Sequence, residues 1–135
     1  MTKNEYEKLA AFRYELRRFL RFSEQAAREH GLASMQYLAL LAIEGFPGRD
    51  RITIGELAER LQIAAHTAVG LVDRLETAKL ARRICSEEDR RQVHVTLTAS
   101  GRAKLEKLAA VHRQELQTAS AALIRELTRL VGPAS

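Results

Sequence analysis

A chain of 135 residues, 46% hydrophobic and 29% charged, fits one ordinary globular domain and excludes a disordered polymer. Its formal net charge of +5 favours a polyanionic partner, although a merely soluble protein has the same balance. No apolar run approaches the roughly 20 residues of a membrane span, Met1 to Glu5 lead into an amphipathic pattern rather than a signal-peptide core, and the single cysteine excludes an internal disulfide, so the expected compartment is the cytoplasm, with no membrane partner.

Tyr6 to His30 read as one long helix. Leu9, Phe12, Leu16, Phe19, Ser23, Ala26 and His30 recur at spacings of three and four, widened by Arg13, Leu20 and Ala27. Gly31 fits the left-handed position after a helix C-terminus. Phe12, Tyr14, Phe19 and Phe22 gather most of the aromatic residues here. Core and dimer packing accounts for each ring singly, and together they help decide where a planar ligand would lie. Arg13, Arg17, Arg18 and Arg21 share the helix and suit solvent, a subunit contact or DNA.

Ser34 to Glu44 form a second helix. Met35, Leu38, Leu41 and Ala42 make its stripe, broadened by Tyr37, Leu40 and Ile43, so it belongs near the centre. Gly45 to Arg51 is a loop that places Arg49 and Arg51 near the next unit.

Thr53 with Glu56 is a capping box. Ile54, Leu57, Ala58 and Leu61 then recur over about two helical turns. After the short Gln62-Ile63-Ala64 link, a second helix carries Ala68, Val69, Val72, Leu75 and Ala78, with Leu71 beside them. Two short helices joined so closely are a helix-turn-helix, whose second helix can enter a major groove. His66, Thr67, Gly70 and Arg74 lie off the apolar stripe, with Ala65 at the helix start, where base edges and phosphates would be met, although an ordinary solvated face has the same make-up. Ala64 and Ala65 supply no side-chain cap, so the first N–H groups need water or phosphate.

A hairpin follows. Ala81 to Ile84 lead in, residues 86–91 form a charged tip, and Val93 to Leu97 alternate as a strand. Arg90 and Arg91 at the tip can enter a minor groove, with Asp89 holding one of them. A solubilising tip is the plainer alternative.

This stretch resembles the winged helix-turn-helix core of the MarR family of bacterial transcription regulators. The resemblance is carried by IGELAERL, by VGLVDRLETAKL and above all by DRRQVHVTLT. It implies a mainly α fold with a small β-hairpin wing and a single domain over 1–135. Within it, 32–98 form the DNA-binding core, and 1–31 and 99–135 are dimerisation helices. It also implies a homodimer on double-stranded DNA, a wing arginine in the minor groove, and often release by a small molecule or an oxidant. Three positions depart from the family pattern. Ala33 replaces a capping threonine, so the cap is expected to shift to Ser34. Gly70 replaces a polar or basic residue. Lys79 replaces a glycine after the recognition helix.

Thr98 can cap a last helix. Leu105, Leu108, His112, Leu116, Ala119, Leu123, Leu127 and Leu130 keep a near-heptad rhythm. A helix of roughly 30 residues, about 45 Å long, needs a partner for its stripe, and a second copy is the simplest one. His112 in that stripe reads as packed or hydrogen-bonded rather than as a switch.

The expected function is sequence-specific DNA binding by a homodimeric repressor that reads an inverted repeat and is released by a small aromatic or phenolic effector. Phe12, Leu16, Phe19, Met35 and Tyr37 are the candidate lining of the effector site. Alternatives are a redox regulator acting through Cys85, flanked by Arg82, Arg83 and Arg90 but also by Glu87 and Glu88, and an architectural DNA-binding protein without an operator. No phosphate loop, nucleophile elbow, metal box or acid–base pair is present in the sequence, so no enzyme activity, cofactor, catalytic residue or metal is expected.

Overall fold

A computed structural model describes residues 1–85 and 92–132. In chain order the elements are α1 (Lys3–Glu29), α2 (Ser34–Glu44), β1 (Ile52–Thr53), α3 (Ile54–Leu61), α4 (Ala65–Thr77), β2 (Ala81–Cys85), β3 (Val93–Leu97) and α5 (Ala99–Val131). The strands form one antiparallel sheet in the order β1-β3-β2. The fold is a mainly helical winged helix-turn-helix, as the sequence predicts, with β1 as an addition. Two residues are too short for an alternation signal, and β1 exists because β3 pairs with it, Ile52 opposite Val95.

Local hydrogen bonds set the helix starts. Thr2 and Glu5 form a capping box, so α1 begins before Tyr6, where the periodicity placed it. On α3 the predicted Thr53–Glu56 box is present, with bonds of 2.9 and 3.1 Å. On α2 the expected shift of the cap to Ser34 does not occur. Ala33 holds the cap position, and only the returning half of the box survives, the Ala33 N–H donating to Gln36 Oε1 at 2.8 Å.

Three helices close in one way. The N–H of a left-handed residue bonds to the carbonyl three back, and the next N–H to the carbonyl five back. Gly31 and Leu32 do this for α1, Gln62 and Ile63 for α3, and Lys79 and Leu80 for α4. Gly31 takes φ = +75° without penalty, whereas Gln62 at 56° and Lys79 at 62° carry side chains there, at about 1 kcal/mol each. Lys79 thus keeps the corner that the family builds with glycine, and the cost is strain rather than a different path.

The core surrounds α2. Tyr37, Ala39, Leu40 and Ile43 meet Ile52, Leu57, Leu71, Val72, Leu75, Val95, Leu97, Leu105 and Leu108. Leu38 and Leu41, which the periodicity placed in the stripe, are exposed; a helix this apolar nearly all round does not mark which side faces inward. Arg13 and Leu20 of α1 are likewise exposed.

α5 is one unbroken helix of 33 residues, about 50 Å long. Thr98 Oγ1 caps it, accepting from the Gly101 N–H at 3.0 Å. Its buried residues, Gly101, Leu105, Leu108 and His112, all lie in its first half. Those of α1, namely Ser23, Ala26 and Ala27, all lie near its end. The remaining lengths of α1 and α5 leave Tyr6, Leu9, Tyr14, Leu20, Leu116, Ile124, Leu127 and Val131 exposed.

Candidate nucleic-acid interface

α3 and α4 pack through Leu57, Leu71, Val72 and Leu75, which turns the opposite side of α4 outward. Ala65, His66, Thr67 and Arg74 are all exposed on that side, with Gly70 half-buried between them. Arg74 lies back along the helix: its Nη1 would be 3.8 Å from a Cβ at position 70. Gly70 therefore removes a side chain beside the guanidinium without being needed for the backbone. Ala64 gives α4 no side-chain cap, so its first turn presents backbone N–H groups to solvent, where an anion can be held.

Two members of the predicted α4 stripe are not in the core. Ala78 is exposed at the C-cap. Val69 is 41% exposed and lines a groove of about 350 Å³ with Thr53, Ile54, Gly55, Gln92 and Val93. Val69 lies one residue off the inward line of Ala68, Leu71, Val72 and Leu75, toward the start of α3 and the base of the hairpin. Periodicity at single-residue resolution does not separate these two directions.

Strand pairing runs from Ala81 opposite Leu97 to Cys85 opposite Val93. Arg82 and Arg83 are adjacent and alike in sequence, but strand alternation parts them. Arg82 is exposed. Arg83, opposite buried Val95, faces the helices, where its Nη2 donates to Asp73 Oδ1 at 2.8 Å, its Nη1 donates to Glu76 Oε1, and its backbone N–H donates to Glu76 Oε2 at 3.2 Å. Burial works against the guanidinium charge, but the hydrogen bonds it donates to Asp73 and Glu76 outweigh this and hold the pKa above the ordinary arginine value. Asp73 and Glu76, one turn apart on α4, were the signal available in the sequence for this contact.

The loop arginines also have protein partners. Arg49 donates to Glu56, and its guanidinium lies 4.3 Å from the Phe46 ring centroid, with Arg60 at 5.0 Å. Arg51 Nε donates to Asp50 at 3.2 Å. Burial raises the Glu56 pKa, but the bonds from Arg49 and Thr53 outweigh this and hold it below the usual carboxylate value. Asp89, Arg90 and Arg91, the predicted wing contacts, lie outside the described residues.

With this helix-turn-helix and hairpin in place, residues 30–92 match the model of the MarR family. The helix-turn-helix and hairpin of the chain are those of the MarR family. The chain is 32% identical over 85 residues to the transcriptional activatory protein BadR of Rhodopseudomonas palustris, a stretch covering 63% of this chain and 49% of that protein, so the match spans about half of the relative. Among solved structures, AbsC of Streptomyces coelicolor superposes with a TM-score of 0.81 at 24% identity, over 98% of this chain and 93% of that one. A MepR mutant of S. aureus bound to an oligodeoxyribonucleotide superposes with a TM-score of 0.69 at 23% identity, over 86% and 82%. At these identities the superpositions speak for the fold.

The expected effector residues are not gathered at one place. Phe19 lines a cleft of about 440 Å³ between α1 and α5, with Phe22, Ala119, Ala122 and Leu123 as further apolar walls and Glu15, Arg18, Glu115 and Thr118 as polar ones. Tyr37 instead lies in the core, its ring stacked on His112 at 4.5 Å. Met35 packs on the core, and Phe12 and Leu16 are half-buried on α1. His112 is packed and hydrogen-bonded, as expected: Nδ1–H donates to the Leu108 carbonyl at 2.9 Å, and Nε2 meets Ser23 Oγ at 2.7 Å. Cys85 is a free, exposed thiol at the end of β2. No group of His, Cys, Asp and Glu among the described residues is arranged to hold a metal ion, and no described helix is long and apolar enough to cross a membrane.

Proposed function

We propose that the chain is a transcription regulator that binds double-stranded DNA as a homodimer, reads an inverted repeat and is released by a small aromatic effector. The observation that carries this reading is the outer side of α4, where an uncapped first turn sits with exposed Ala65, His66, Thr67 and Arg74. In this reading His66 and Thr67 meet base edges, Arg74 meets phosphate or base, and Arg90 or Arg91 enters the minor groove. The family match and the DNA named for the MepR mutant support it.

The homodimer is argued from exposed apolar surface. The far lengths of α1 and α5 pack on each other alone and leave eight large apolar side chains in water. A second copy covers them and sets two recognition helices about 34–36 Å apart, one turn of DNA. The α1–α5 cleft, walled by Phe19 and Phe22, has the volume and apolar lining for one small aromatic molecule. Such a molecule acts by binding better to a dimer whose α4 helices are spaced wrongly for DNA. Repression, the expected sign, depends on where the operator lies relative to its promoter.

The test is fluorescence anisotropy with a duplex carrying the operator against scrambled duplexes, at several salt concentrations. The reading expects a sequence preference that His66→Ala with Thr67→Ala removes. Equal affinity for every duplex, with a steep salt slope, would favour an architectural protein instead.

A further inference from the structure

The Arg83 contacts reach beyond ordinary sheet packing. Asp73 and Glu76 lie on α4 next to Arg74, in the half of the helix that runs toward the hairpin. Arg83 takes both carboxylates through its side chain, and Glu76 receives its backbone N–H as well. Planar guanidinium nitrogens held by two acceptors fix orientation as well as distance. The bond is made from β2, two residues before its end at Cys85. Arg82, its neighbour, makes no ion pair among the described residues and points away.

We propose that Arg83 is a positioning residue, which locks the base of the hairpin onto α4 so that helix and hairpin meet a duplex as one rigid body. This rests on the DNA-binding reading given above. The core holds the strands to α4 through Ala81, Val95 and Leu97 against Leu71, Val72 and Leu75, but apolar contacts are non-directional and fix distance better than orientation. The Arg83 network adds a directional cross-link between β2 and α4. It also neutralises acidic charge on a helix that would approach phosphates, and the test separates these two roles.

Cys85 is the single cysteine of the chain and is exposed. A nitroxide on Cys85 and a second on Thr77→Cys, also exposed, report the distance between β2 and α4 by pulsed electron resonance without DNA. The native pair is expected to give a narrow distribution. Arg83→Met should broaden it and weaken binding to a duplex selected by the native protein from a randomised pool by about tenfold, equivalent to about 1.4 kcal/mol. The triple variant Arg83→Met, Asp73→Asn, Glu76→Gln removes the acidic charges as well. It should stay weak, with a broad distribution, although its net charge favours DNA more than the native one. Arg83→Lys, which keeps the charge but not the two-pronged geometry, should fall between and serves if the Met variant folds poorly.

A triple variant that regains native affinity would overturn the proposal and leave neutralisation as the role. So would a narrow distribution in Arg83→Met and Arg83→Lys. If the native protein binds no duplex at all, the DNA reading fails, and the distance distributions alone then decide whether the lock exists.

Discussion

Gly101 should tolerate no side chain. It lies in the first turn of α5, and a Cβ built on it would stand 1.9 Å from the Leu80 carbonyl oxygen and 2.9 Å from the Leu80 carbonyl carbon. Ordinary carbon–oxygen contact needs more than 3 Å, so the backbones must part by over 1 Å. Neither is free to move. The Leu80 carbonyl accepts the Thr98 N–H at 3.1 Å, the Leu80 N–H bonds back to Leu75, and Thr98 Oγ1–H donates to the Lys79 carbonyl at 2.7 Å. Alanine would gain about 1 kcal/mol of helix propensity over glycine, against an overpacking penalty of about 3 kcal/mol or more where no side chain can yield. The net loss is about 2 kcal/mol. With an unfolding entropy of about 2.1 cal/mol/K per residue, the Tm should fall by about 7 °C. Thermal unfolding of native and Gly101→Ala protein by circular dichroism, at equal protein concentration, measures this. An unchanged or higher Tm would mean that α5 does not touch the chain at Leu80, just past the end of α4.

Lys79→Gly should raise stability by about 0.5–1 kcal/mol, since it relieves a left-handed side chain and keeps the closing hydrogen bonds; urea midpoints measure it, and a loss would show that the lysine side chain stabilises the corner. Thr53→Ala should cost about 1 kcal/mol by removing the cap of α3, readable in the same titrations. Glu56 has a lowered pKa in the folded chain. Its contribution is therefore complete above the unfolded carboxylate value of about 4.3 and is lost as pH falls through the lower folded value. The stability gap between native protein and Glu56→Gln should accordingly shrink from pH 7 toward pH 3, and a constant gap would contradict the assignment. Arg74→Ala should weaken DNA binding and reduce the salt slope by about 1 if its partner is phosphate; an unchanged slope with altered sequence preference would place it on a base.

The sequence made the repeating features legible and left the converging ones hidden. The Thr53–Glu56 box and the Thr98 cap are local hydrogen bonds between near neighbours, so residue types at fixed spacing reveal them. The boundaries of α2 were legible from its apolar run between Gly31 and Gly45, but its cap and its inward side were not. Leu38 and Leu40 are chemically alike, and only the surrounding elements decide which is buried. Arg82 and Arg83 pose the same problem on a strand. Gly101 reads as an unremarkable residue after Thr98 until the Leu80 carbonyl is brought against it from the end of another helix. The outer side of α4 was legible because the apolar residues leave it by elimination, yet Val69 shows how coarse that elimination is.

Sequence reading by a dimer is open to direct measurement by selecting binding sites from a randomised DNA pool at near-physiological salt. An inverted repeat whose half-sites lie about one helical turn apart should be enriched, and the enrichment should be lost when His66 and Thr67 are both replaced by Ala. A pool that binds in a salt-sensitive way yet enriches no repeat would contradict sequence reading by a dimer, and a pool that is not retained at all would contradict DNA binding itself.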